Sequence, residues 1–163
     1  MKRIRLAVLG LSLLVIGSCS LPYILHNRAL SHVRALYPRI KHPPLGFAVT
    51  SFSKVGLCAG GNGNHCDYLV GEIRESDDSP AQIKQFYSGF SLPMMDPVTS
   101  QWGPGQDVPV SVEFPDTEGD SGVLKYDIPD AVRRARAKQH KKTLYVVYVL
   151  DGGYEPNGDL RCH

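Results

Sequence analysis

The chain has 163 residues, 42% of them hydrophobic and 21% charged, with a formal net charge of +2. This balance describes a folded globular protein and excludes a disordered or fibrous chain. The net charge is too small to indicate nucleic acid, and a chain of this size is expected to build one core.

Lys2, Arg3 and Arg5 precede an uncharged, largely aliphatic run from Leu6 to Leu25 that only Pro22 interrupts. Basic residues followed by such a run read as an export signal. As a helix, the twenty residues from Leu6 to Leu25 reach about 30 Å, enough to cross hydrocarbon as a retained anchor. Ile16-Gly17-Ser18-Cys19 also resembles the lipobox of bacterial lipoproteins, which implies lipidation at Cys19. Simple cleavage after Ser20 is the third outcome. The chain therefore divides into a signal-anchor or lipoprotein signal segment over 1–25, an amphipathic juxtamembrane stalk over 26–44 and an extracytoplasmic, periplasmic domain over 45–163.

In the stalk, Ala29, Leu30, Val33, Leu36 and Tyr37 recur at helical spacing until Pro38 and Pro43-Pro44 end the pattern. Phe47 to Val55 and Cys66 to Arg74 read as strands joined by a Gly- and Asn-rich loop. Ser79-Pro80-Ala81-Gln82 supplies a cap, a first-turn proline and a capping-box glutamine, and Ile83, Phe86, Tyr87 and Phe90 follow at helical spacing. Leu92 to Gln106, with the single Trp102, is a long irregular connection.

Val108, Val110, Val112 and Phe114 alternate, as do Leu124, Tyr126 and Ile128 after an acidic turn, which predicts a hairpin. Pro129 opens a second helix, in which Val132 and Ala135 face inward, and Leu144 to Leu150 is a buried strand. Gly152-Gly153 and Pro156-Asn157-Gly158 carry the tail through turns. The expected fold class is α+β: an antiparallel sheet backed by two helices, in split βαβ (ferredoxin-like) order with an extra N-terminal strand.

Cysteines in an exported chain favour oxidation, and Cys58 and Cys66 bracket the Gly-rich loop, so these two are the expected disulfide, with Cys162 either free or competing with one of them. Zinc on Cys58, His65, Cys66, Cys162 and His163 is disfavoured because seven residues separate the first two cysteines. The acidic turn from Asp116 to Gly122 lacks the glycine position of a calcium loop. No metal and no cofactor are expected, and no catalytic residues are assigned.

Arg133, Arg134, Arg136, Lys138, Lys141 and Lys142 put six cations into ten residues. With Trp102 in the long loop, they form the expected binding surface. The expected function is a membrane-anchored, non-catalytic binding module of the cell envelope, its partner an acidic protein or an anionic surface rather than nucleic acid. The alternative is a small hydrolase or metal-dependent enzyme, for which His65, Asp67, Asp96 and Asp107 are the candidates by residue type.

Overall fold

Every position from Leu144 to Val149 is buried, and a strand with no polar face needs cover on both sides. The computed structural model describes residues 20–58, 63–93, 107–115, 122–138 and 142–162, and it places this strand at the centre. A helix over residues 20–36 (α1) leads through a 3-10 turn at Tyr37–Arg39 to β1 (Phe47–Gly56) and β2 (Cys66–Ser76). Then come α2 (Pro80–Tyr87), β3 (Ser91–Leu92), β4 (Val108–Glu113), α3 (Gly122–Tyr126), α4 (Pro129–Lys138) and β5 (Thr143–Tyr154).

The sheet order is β1-β2-β5-β4-β3, and every neighbouring pair is antiparallel. β2 and β4 are joined through α2, flank β5 and so run in the same direction. The side chains of Tyr68, Val70, Tyr145, Val147 and Val149 meet α1 and α2 on one face. Those of Leu69, Ile73, Leu144, Val146 and Tyr148 meet α3 and α4 on the other. The α+β class with an antiparallel sheet is thus observed, with helices on both faces instead of one. The expected capping box of α2 is present, with Ser79 and Gln82 bonding reciprocally.

Two expectations need correction. The stretch read as a strand over 124–128 begins in α3. A strand would have buried Tyr126 with Leu124 and Ile128, but Tyr126 is 54% exposed and the adjacent pair Val123 and Leu124 is buried. A helix can bury adjacent residues on one stripe, and both edges of β5 are already taken by β2 and β4. The second correction concerns the stalk over 26–44, which is part of the core. Val33, Leu36, Tyr37 and Ile40 are buried with the sheet residues, and the Tyr37 hydroxyl donates to the Val147 carbonyl at 3.0 Å. Among the described residues, no helix is long and apolar enough to cross a membrane. Lys2, Arg3, Arg5 and Cys19 lie outside them.

Gly71 lies opposite Phe52 on β1 and Tyr148 on β5. A Cβ there would stand 2.6 Å from Phe52 Cζ and 2.6 Å from the Val147 carbonyl oxygen. The aromatic ring lies over the sheet only because the position is glycine. Gly71→Ala is expected to cost about 3 kcal/mol through overpacking, read as a lower urea midpoint with unchanged slope. A variant as stable as the parent would contradict this packing.

Candidate functional site

The expected binding helix forms as α4. Val132 and Ala135 are buried, which turns Arg133, Arg134 and Lys138 to solvent. Asp130 in the first turn and Arg136 and Lys138 in the last match the helix dipole. Arg133 pairs with Asp130 at 2.6 Å, but both side chains are largely exposed, so the pair leaves the cation available. Arg136 is tied to the scaffold by a hydrogen bond to the Pro115 carbonyl. Lys142 bonds Asp77 at 2.9 Å and sits 5.1 Å over the Phe47 ring. Lys141 and Trp102 lie outside the described residues.

The second assembly was not legible as a site. After β5, Asn157 (φ 50°) and Gly158 (φ 91°) take left-handed conformations, which fold the tail back into a 3-10 turn at Leu160–Cys162. That turn delivers Cys162 to Cys66, 96 residues away, and the two form a disulfide with a Cα separation of 4.7 Å. This corrects the expected Cys58–Cys66 pairing. Cys58 packs on the sheet face of Leu69 and Ile73, whereas Cys66 packs on the opposite face with Tyr68 and Val147. Proximity in the hairpin does not let side chains meet through the sheet. Cys58 is a buried free cysteine whose thiol pKa burial pushes far up, so it stays protonated.

Polar groups close around the disulfide. His26, buried on α1, contacts the Tyr68 hydroxyl through Nδ1 at 2.7 Å. Its Nε2 faces the Pro156 carbonyl at 3.2 Å and Cys66 Sγ at 3.5 Å. Facing two acceptors, Nε2 carries the proton, and Nδ1 accepts from Tyr68, whose pKa burial raises so that it remains a donor. Buried Asp159 accepts from Arg161 Nε at 2.9 Å and Nη2 at 2.6 Å, and this hydrogen bonding holds its carboxyl below the usual range. The same guanidinium donates to Asn27 Oδ1 at 2.9 Å and stacks 4.0 Å from the Tyr23 ring. One arginine therefore joins the C-terminal turn to α1.

Potential ligand atoms of His26, Cys66 and Asp159 lie within 4.8 Å of one another. A disulfide sulfur is not a thiolate, however, and both Asp159 oxygens are held by Arg161. As arranged, the group acts as a clasp between α1 and the turn that follows β5. Of the enzyme candidates, Asp67 is buried and accepts from the backbone N–H groups of Cys58 (3.0 Å) and Gly153 (3.1 Å), with His65 Nε2 3.4 Å away. A Cβ at Gly152 would stand 2.1 Å from Asp67 Oδ1, so Gly152 and Gly153 extend β5 past this carboxylate where a turn was expected. Asp107 accepts from the Ser91 hydroxyl at 3.2 Å, and Asp96 and His163 lie outside the described residues.

Sequence reasoning missed His26, Asp159 and Arg161. The one available signal was the helical spacing of His26 with Leu30, Val33 and Tyr37, which sets the imidazole on the core stripe. In comparisons with known proteins, no family model, curated protein or solved structure matches the chain.

Alkylation of the denatured, unreduced protein should label Cys58 and leave Cys66 linked to Cys162. Closing a loop of 96 residues makes that bond worth about 4 kcal/mol, the expected loss in Cys162→Ser. A Cys58–Cys66 linked peptide would refute the assignment. Because the Asp159 pKa is depressed in the folded state, its stabilisation is present above the unfolded carboxylate pKa and is lost as pH falls through the lower folded value. Asp159→Asn should therefore lose about 2 kcal/mol at pH 7 and progressively less below about pH 4, in paired urea titrations. An equal loss at both pH values would show that the charge of Asp159 contributes nothing.

Proposed function

We propose that the chain is an extracytoplasmic, membrane-tethered, non-catalytic module of the cell envelope that presents α4 to an acidic protein partner. The carrying observation is the exposure of Arg133, Arg134 and Lys138 on the side of α4 away from Val132 and Ala135. Export is supported by the Cys66–Cys162 disulfide, a bond that persists in oxidising compartments, and by the apolar run from Leu6 to Leu25. The non-catalytic reading rests on how fully the buried carboxylates and imidazole are engaged: Asp67 by backbone donors, Asp159 by Arg161, His26 by Tyr68 and Pro156. The same reading takes the sheet as a rearranged ferredoxin-like one, with β1 in the edge place beside β2 and β5 splitting the β2-α2-β4 unit.

The test is charge reversal. Full-length protein in neutral detergent is passed over immobilised polyglutamate at low and moderate salt, beside Arg133→Glu, Arg134→Glu and Lys138→Glu combined. Retention should weaken about tenfold or more, with a shallower salt dependence. Unchanged retention removes the reading, and selective binding to anionic vesicles instead would replace the protein partner by a lipid surface.

A further inference from the structure

The clasp end of the domain carries an unusual surface. Leu21, Ile24 and Leu25 on α1 are 53%, 57% and 51% exposed, and Leu160 in the C-terminal turn is 87% exposed. Positions 21, 24 and 25 share one helical stripe, turned away from the stripe on which His26 and Val33 enter the core. Arg28, exposed on the next turn, continues that outer stripe. Leu160 lies at the same end of α1, on its Tyr23 and Asn27 flank, because its neighbour Arg161 is fixed to both residues. Pro22, Tyr23, Leu160 and Arg161 together line one shallow groove.

We infer that this end is a foot that lies in the interfacial layer of the lipid bilayer, so that the domain sits down on the membrane instead of standing off it. The inference rests on the tether proposed above and adds an orientation to it. The occupant follows from what precedes the patch: residues 6–19 are uncharged and largely aliphatic, and they lead straight into Leu21, Ile24 and Leu25. Leucines followed one turn later by an arginine reproduce the order of hydrocarbon and headgroup, and Tyr23 beside Arg161 pairs an amphipathic ring with a cation at that level.

The orientation also places α4. β5 starts at Thr143 and reaches the clasp end at Tyr154, a strand of 12 residues. At roughly 3.3 Å per residue, its ends are about 35 Å apart. Lys142 immediately precedes β5 and Lys138 closes α4 just before it, so the basic end of the helix lies at the far end of the sheet. The foot faces lipid while the cations face away from it.

The test reads depth. Full-length protein carrying Trp102→Phe and Leu160→Trp is reconstituted into phosphatidylcholine vesicles with brominated acyl chains, beside a control carrying Trp102→Phe and Ala137→Trp on exposed α4. Fluorescence of the tryptophan at 160 should fall about twofold or more, with a blue shift, while that at 137 is unaffected. If the protein floats with vesicles but position 160 is no more quenched than 137, the foot is wrong and the tether stands. If the protein does not associate with vesicles, the tether reading fails, and the foot with it. A blue shift at 160 without quenching, together with a dimer in detergent, would assign the patch to a second copy and overturn the inference.

Discussion

A central strand that is apolar on both faces constrains the whole molecule. Full burial of a Val or Leu side chain is worth roughly 1.5 to 3 kcal/mol, and Leu144, Val146, Val147 and Val149 secure it only if cover reaches both sides of β5. α1 and α2 supply one layer, α3 and α4 the other. The stretch from residue 20 to 44 is therefore structural in the strict sense, because without it Val55, Val70 and Val147 would face water. The conversion of an expected strand into α3 follows from the same demand: a further strand would have left the second face of β5 to α4 alone.

Apolar cover is non-directional and by itself does not say where along the sheet a helix should lie. Polar contacts at the two ends supply that register. At one end, His26 and Arg161 fasten α1 to Tyr68, Pro156 and Asp159. At the other, Arg74 donates to the Gly46 carbonyl and bonds Glu72, while His42 Nδ1 lies 2.8 Å from the Tyr87 hydroxyl. Burial lowers the His42 pKa and pushes that of Tyr87 up, which leaves a neutral imidazole accepting from a protonated phenol. Between these pins, Val33, Leu36, Tyr37 and Ile40 provide the burial. The disulfide then makes the clasp end covalent.

What could be read from the sequence was whatever short-range chemistry decides. The capping box of α2 is complete within four residues, and the unbroken apolar run of β5 announces a strand covered on both sides. The stripe from Ala29 to Tyr37 identified the right apolar face but not what it packs on, so a core helix passed for a stalk. Alternation at Leu124, Tyr126 and Ile128 suggested a strand because a pattern cannot show that the stretch is needed as cover on a sheet face. The cysteines were matched by nearness along the chain, whereas the side of the sheet decided their pairing. His26 meets Pro156, and Arg161 meets Asn27, across more than a hundred residues, and no local pattern encodes those encounters.

The two ends of β5 also differ in how firmly they are held. α4 commits only Val132 and Ala135 to the core and gathers Arg133, Arg134 and Lys138 on one exposed side, so mutual repulsion works against a lightly buried helix. Asp130 near its start and the tie from Arg136 to Pro115 offset part of that cost. An acidic partner on the proposed reading would remove the repulsion and, by mass action, stabilise the helix as it binds. On that reading, the charged helix lies at the opposite end of β5 from the disulfide, so a partner on α4 would leave the clasp undisturbed.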